Sequence, residues 1–362
     1  MKSKISQQAV RAFKCLLLSR PDRIGDVVIT TSCLKVIHDV YPHLEIYFLV
    51  NEPLIPLLSE HPLLSGLISL PDRGKDPKQS ILLLSNKIQN LNPDCIIHFN
   101  HDPIVAAAAY KANIPYRLGH RLKKNNAWLT HTIPDRRKEG IQHEAEYNLD
   151  LLNPLQISPP HKLEPWLSPE PVNDARLLEL LPWWRSNCPF AVFHISAHAS
   201  KARIPANIFA GLTPWLIDEL DYHLVLIGSE GDDPAKKSFL QLIGDRLKEK
   251  VSDLTGITHL GETARVLNEA RFLLSRDSGP AHLAAAVNCP AVTLIGPLGR
   301  KLASTRWRPL GSSAKVFEKP LTPRLWETTR AYQQRYFNSF SVEEIKNELT
   351  AVLNEIEDIG KI

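Results

Sequence analysis

Short apolar runs bounded by turn residues alternate along the chain with longer stretches of helical periodicity. That pattern places strands in parallel sheets and helices on their faces. In the first half, residues 15–20, 45–50, 67–70 and 95–99 predict strands, with helices over 26–40 and 81–91. From Asn153 onward prolines crowd the chain (Pro159, Pro160, Pro165, Pro169, Pro171, Pro182), and a regular domain interior is not expected before Pro189. A second alternation follows, with strands predicted at 190–195, 223–228, 271–275 and 291–296. Near the end, Ser341 and Glu344 stand at capping-box spacing. Val342, Ile345, Leu349, Val352, Leu353 and Ile356 then share one face, which predicts an amphipathic helix. The reading is an α/β protein: a first doubly wound domain at 1–170, a linker at 171–189, a second doubly wound domain at 190–325 and closing helices at 326–362.

Composition narrows the partners. The chain has 362 residues, enough for two cores, and 43 basic against 39 acidic side chains leave a net charge of +4. That balance does not suit a nucleic-acid backbone and fits an anionic small substrate or lipid head group better. No apolar stretch reaches the roughly 20 residues that span a bilayer, and the N-terminal segment lacks a small-residue cleavage site. Cys15, Cys33, Cys95, Cys188 and Cys289 are scattered, odd in number and without zinc-ligand spacing, which points to a reducing, cytoplasmic setting.

The first strand runs into Pro21-Asp22-Arg23-Ile24-Gly25-Asp26, where strand turns to helix and an open sheet faces its ligand. Only Gly25 is present where a dinucleotide fold needs a run of three spaced glycines, so a nicotinamide or flavin enzyme is disfavoured. Asp26 suits a base that takes a proton from an acceptor hydroxyl, with Arg20 and Arg23 holding acidic groups of that acceptor. The alternative is that Asp26 caps the helix. His98, Asn100, His101 and Asp102 follow the strand at 95–99 on the same edge and suit acceptor contacts better than metal ligation. Arg117, Arg121, Lys123, Lys124, Arg136, Arg137 and Lys138, with Trp128 among them, form either a solvated surface or a patch for phosphorylated sugars or an anionic membrane.

In the second half, the stretch from Arg271 to Pro297 reads as strand, polar turn, helix opened by Pro280, and strand. Asp277 or Ser278 can cap that helix, and N–H groups from Ser278 through Gly279 to Ala281 suit a diphosphate, with His282 one turn in. The strand at 190–195 ends in a small polar loop holding Ser196, His198, Ser200, Lys201 and Arg203, where Lys201 can neutralise a leaving diphosphate. Glu230, Asp232 and Asp233 are loop acids, either solvated or hydrogen-bonded to ribose or sugar hydroxyls.

Taken in order and spacing, Ile24-Gly25-Asp26, Arg117-Leu118-Gly119, Lys201-Ala202-Arg203-Ile204-Pro205 and Asp277-Ser278-Gly279-Pro280-Ala281-His282 resemble glycosyltransferase family 9, the lipopolysaccharide heptosyltransferases. The resemblance spans residues 15–317. It implies a GT-B fold: two facing Rossmann-like doubly wound domains, acceptor mainly on the first, nucleotide-sugar mainly on the second, and a C-terminal helix crossing back to the first. It implies Asp26 as general base, and Lys201 with the Ser278–His282 helix start as holders of the ADP diphosphate. Inversion at the anomeric carbon without an obligatory metal or other cofactor follows as well. The implied reaction moves heptose from ADP-heptose to a lipid-A-linked core acceptor, at the cytoplasmic face of the inner membrane. The chain departs from the family at His98, Asn100 and His101, where an acidic residue and a Gln-Gly pair are usual, and at Leu298-Gly299-Arg300. The competing expectations are a GT-B enzyme using another nucleotide-sugar and a non-catalytic protein that binds nucleotide or lipopolysaccharide precursor.

Overall fold

The computed structural model describes residues 4–71, 76–121, 126–158, 160, 162–168, 174–184, 186, 188–195, 202–230, 233–296, 304–312 and 314–359. The chain divides into two units, Met1–Ser168 and Pro169–Ile362.

In the first unit the described strands are β1 (Cys15–Ser19), β2 (Glu45–Asn51), β3 (Gly66–Leu70), β4 (Cys95–His98), β5 (Tyr116–Arg121) and β6 (His131–Pro134), in the order β3-β2-β1-β4-β5-β6. Every pairing is parallel, with Leu16 of β1 opposite Ile46 of β2 and Cys95 of β4. β1 is central and covered on both faces, which is why it reads as an unbroken apolar run. Leu16, Leu17 and Leu18 are fully buried, each worth roughly 1.5–3 kcal/mol.

The second unit repeats the plan. Its described strands are β7 (Phe190–His194), β8 (His223–Ile227), β9 (Val251–Asp253), β10 (Phe272–Arg276), β11 (Ala291–Leu294) and β12 (Ala314–Phe317). They lie in the order β12-β11-β10-β7-β8-β9 and are likewise all parallel. In both sheets the order reverses beside the unit's first strand, between β1 and β4 and between β7 and β10. Open sheets bind ligands at the carboxyl ends of such a switch point. The two doubly wound α/β domains expected from the sequence are thus present.

Some elements differ from expectation. β5, β6, β9 and β12 are short or lie toward the sheet margins, and β5 is strewn with Arg117, His120 and Arg121, so none shows the apolar run that marks a buried strand. The helix expected over 26–40 divides into Ile24–Thr30 and Ser32–Val40. At the junction the hydroxyls of Thr30, Thr31 and Ser32 donate to the carbonyls of Asp26, Val28 and Ile29, each at 2.7 Å, offering the backbone an alternative to a continuous ladder. The proline-rich stretch is not a free tether. Leu155, Ile157 and Leu167 are buried in the first unit, and Leu177 and Leu181 are buried in the second.

The closing helices, Thr329–Asn338 and Val342–Ile359, belong to the second unit. Tyr336, Phe337, Phe340, Ile345, Leu349 and Val352 all lie in its core. Tyr336 Oη donates to the carbonyl of Ile295 at 2.8 Å and accepts from the Lys319 N–H at 2.9 Å. The Ser341–Glu344 capping box forms as expected, with Ser341 N–H on Glu344 at 2.8 Å and Glu344 N–H on Ser341 Oγ at 3.2 Å. No helix among the described residues is long and apolar enough to cross a membrane.

The final helix approaches the Ala206–Pro214 helix closely at Gly211, where an added Cβ would stand 2.5 Å from Val342 Cγ2. Gly211→Ala is expected to lower unfolding stability by about 1–3 kcal/mol through overpacking. The double variant Gly211→Ala/Val342→Ala should be more stable than Gly211→Ala alone when the two are compared by urea denaturation.

Candidate functional site

Beyond the end of β1, Arg20 turns inward. It is 2% exposed. Its Nε donates to Asp22 at 3.0 Å, Nη1 to the Phe99 carbonyl at 3.0 Å and to Asn148 Oδ1 at 3.2 Å, and Nη2 to Asp26 and, at 3.3 Å, to Glu144. Burial works against the guanidinium's charge, but Asp22, Asp26 and Glu144 outweigh it and hold Arg20 firmly protonated. Arg20 is therefore no free anchor for acidic groups on an acceptor, as the sequence had suggested; it is the hub that holds three carboxylates. Asp26 lies in the first turn of the Ile24–Thr30 helix, whose N-cap is Arg23, and no side chain caps that helix. The Asp26 carboxylate points to Arg20, so the capping alternative is not realised. Arg23 is exposed and Gly25 is buried.

At the end of β4, His98 is 5% exposed and pairs in register with Ser19 and Gly119. Asp102 caps the Pro103–Lys111 helix, accepting from Ile104 N–H at 2.9 Å and Val105 N–H at 3.1 Å. His98, Asn100, His101, His120 and Arg137 line one pocket, so the expected contacts His98, Asn100 and His101 do come together. Burial pushes the His98 imidazole down to about 3, helped by Arg117 and His101, and the His120 imidazole down to about 4, helped by Arg137. Both rings are neutral near pH 7. His120 was missed in the sequence because it sits among the cations of β5.

Several members of the basic run are engaged within the fold. Arg117 lies near the start of β5, away from the carboxyl edge. It donates to the carbonyls of Trp128 at 2.6 Å and of Ile114, with its cation over the Tyr110 ring at 5.4 Å. Arg117 is thereby tied to the backbone beside β5. Arg121 at the far end is exposed. Arg136 pairs with Glu139 at 2.9 Å and Arg137 with Asp135 at 3.0 Å. Lys123 and Lys124 lie outside the described residues.

In the second unit Ser278 is the N-cap of the Gly279–Ala286 helix, but its hydroxyl makes no bond to that helix. It bonds instead with Ser275 Oγ at 2.9 Å and His194 Nδ1 at 3.1 Å, and donates to the Arg276 carbonyl at 3.0 Å. A cap turned aside does not occupy the positive helix terminus, the arrangement an anion needs. Asp277, Gly279 and Pro280 are half-buried at the edge and Ala281 is buried, while His282, expected at the surface or facing the ligand, is 4% exposed. Arg276, missed in the sequence, is buried, donates to the Ala202 carbonyl and packs over the Phe337 ring at 5.3 Å. Gln334 exchanges two bonds with Arg203, at 3.1 and 3.0 Å. Ala202 and Arg203 are thus clamped beside the polar loop, whose Ser196, His198, Ser200 and Lys201 lie outside the described residues, as does Asp232. Glu230 is exposed at the end of β8, and Gly256 (φ +72°) allows its close approach: a Cβ there would stand 2.8 Å from Glu230 Cα.

The carboxylate cluster generates a pH prediction. Burial, with repulsion from Asp26 and Glu144, raises the Asp22 carboxyl to about 6 against the pull of Arg20. An unfolded aspartate titrates near about 3.9. The stability Asp22 contributes is therefore present below about pH 4 and lost as pH rises through about 6. Asp22→Asn keeps an oxygen for Arg20 and removes that dependence. Its melting temperature relative to the parent is expected to climb between about pH 4 and pH 7; a difference flat across that window would contradict the assignment.

Comparisons with known proteins agree with the two-unit plan. The model of glycosyltransferase family 9 (heptosyltransferase) matches residues 81–331. Lipooligosaccharide heptosyltransferase 2 of Haemophilus influenzae is 26% identical over 78% of this chain and 83% of its own length. Lipopolysaccharide heptosyltransferase 3 of Escherichia coli K12 is 24% identical over 79% and 82%. Among solved structures, a family 9 glycosyl transferase from Veillonella parvula superposes with a TM-score of 0.79 at 22% identity, covering 94% of this chain and 98% of its own. The E. coli ADP-heptose lps heptosyltransferase II does so with 0.77 at 24% identity, covering 95% and 99%. The fold is the GT-B fold of those enzymes, and with the family model matching more than half of its length, this chain belongs to glycosyltransferase family 9.

Proposed function

We propose that this protein transfers a heptose, with inversion, from ADP-heptose to the inner core of lipopolysaccharide. The relatives named as heptosyltransferases of lipopolysaccharide or lipooligosaccharide support the sugar and the acceptor class. The observation that carries the mechanism is Asp26, fixed by buried Arg20 at the carboxyl end of β1 beside the switch point. Asp26 takes the proton of the acceptor hydroxyl as its oxygen attacks the anomeric carbon. The bond from that carbon to the diphosphate oxygen breaks, and the electron pair leaves with ADP. Lys201 and the helix start from Ser278 to Ala281 stabilise the departing charge. Glu230 takes a donor hydroxyl, and Arg23, Arg121 and the His98–His101 edge meet the acceptor. The reaction requires no metal in this scheme, and the protein works at the cytoplasmic face of the inner membrane, where a lipid-anchored acceptor is presented.

The test is ADP release by the full chain given ADP-heptose, with and without lipid-A-linked core acceptor. Acceptor-dependent release is expected. Asp26→Asn, which keeps an oxygen for Arg20, should lower kcat by about 10²–10⁴-fold while ADP binding and melting temperature stay near parental values. Binding of ADP without turnover on any acceptor would leave a binding protein instead, and release with another nucleotide-sugar would change the donor. Arg20→Met should instead destabilise the fold by about 3–5 kcal/mol, because it strands buried carboxylates, and this is read by urea denaturation.

A further inference from the structure

The pocket at the carboxyl ends of β4 and β5 has a chemistry distinct from the carboxylate cluster beside it. Three of its lining residues carry buried polar atoms that make no hydrogen bond: His120, at both ring nitrogens, and the pair formed by Nε2 of His98 and Oδ1 of Asn100. Leaving such atoms unmatched costs about 1–3 kcal/mol each, so a binding partner that satisfies both gains that much. His98 itself is 5% exposed, a polar side chain sunk almost wholly into the wall. What can satisfy the pair follows from their chemistry. A neutral imidazole nitrogen either donates or accepts, while an amide oxygen only accepts. A hydroxyl gives a proton to one group and takes a hydrogen bond from another; a carboxylate or phosphate dianion has no proton to give to Asn100 Oδ1.

The charges nearby lead to the same conclusion. Arg137, the cation lining the pocket, is already engaged with Asp135 at 3.0 Å and lies 3.8 Å from Glu144. Arg20 is shared among Asp22, Asp26 and Glu144. Asp102 in the pocket wall adds a further acid. Among the residues that line the pocket, Arg137 is the one arginine and is already matched by acids, while Arg117 and Arg121 nearby bond to backbone carbonyls and to Thr132 Oγ1.

We infer that this pocket recognises an uncharged, hydroxyl-bearing group, the neutral polyol face of the acceptor sugar, and discriminates against a carboxylated or phosphorylated group at the same position. The inference rests on the transferase reading for the word acceptor, and it deepens that reading from a lipid-linked core to a neutral sugar at the point of contact. The His98-Asn100-His101 stretch, where the chain departs from its family's pattern, then has a role: it sets which sugar is accepted.

The experiment needs no donor and no turnover, so its failure is separate from failure of the transferase assay. The full chain with ring-¹⁵N-labelled histidine is titrated with methyl mannopyranoside, mannose 6-phosphate and methyl glucuronoside at matched ionic strength. The neutral glycoside should shift the His98 and His120 ring signals at concentrations at least about tenfold below those needed for either anion. His98→Phe should abolish the His120 response to the neutral glycoside without changing melting temperature by more than a few degrees. Asn100→Lys, at a half-buried position that tolerates a cation, should reverse the ranking in favour of the anions. Equal or tighter response to the phosphate or the uronate in the parent protein overturns the inference. Absence of any response at His98 and His120 to all three probes overturns it as well.

Discussion

A guanidinium buried beyond the first strand governs the whole carboxyl edge of the first unit. Taking a cation out of water is costly by itself and tolerable only when its donors are matched. Arg20 meets that condition by gathering Asp22 from its own turn, Asp26 from the following helix, the Phe99 carbonyl from the end of β4, and Glu144 with Asn148 from the Glu144–Asp150 helix. Asn148 reaches on to Thr30 Oγ1 at 3.1 Å, so the helix that bears Asp26 is tied at both ends. The placement of one carboxylate therefore depends on residues scattered over more than a hundred positions of sequence. That is the kind of support a reacting group needs if it is to be held within a fraction of an ångström.

The second unit uses the same strand order but reaches a different electrostatic state at its switch point. Hydroxyls and an imidazole, from Ser275, Ser278 and His194, occupy the place that carboxylates take in the first unit. Because Ser278 directs its hydroxyl into this network, the helix start keeps its positive end facing outward. Arg276 is again a buried arginine at the end of a sheet strand, yet it holds a carbonyl, that of Ala202, rather than acids. One edge is thus rich in acids and the other in hydroxyls and helix N–H groups. Both arise from one repeated architecture through a few substitutions at strand ends.

The parts of this plan that could be read in the sequence are those whose physics is local. Central strands such as β1 and β7 are buried on both faces and so are continuously apolar. The turns after β1 and β10 carry Asp26 and Ser278 at positions that strand-to-helix junctions dictate. What escaped notice depends on distance in sequence. Arg20 looks like an anchor for ligand when its neighbours are only Pro21 and Asp22, and nothing local announces Glu144 or Asn148. The signal that was available is the junction itself, an apolar strand running straight into an arginine followed by Asp22 and Asp26. The closing helices show the same limit. Their apolar stripe was plain in Val342, Ile345 and Leu349, but a stripe does not say which core it joins.

The basic run shows how charge in sequence and charge in structure part company. Between Arg117 and Lys138 the formal charge suggests a patch that attracts phosphates. In the folded unit Arg117 is bound to backbone carbonyls, Arg136 to Glu139 and Arg137 to Asp135. A surface ion pair such as Arg136–Glu139 contributes little stability, commonly below about 1 kcal/mol, and weakens the field of each partner. The pocket beside it presents neutral imidazoles and an amide along with Asp102 and the paired Arg137, and the neutral groups discriminate through hydrogen-bond matching rather than attraction at a distance. Recognition of that type is lost when one donor or acceptor goes unmatched, and it is insensitive to net charge. That is why the overall charge of +4 carries no information about which sugar this edge would admit.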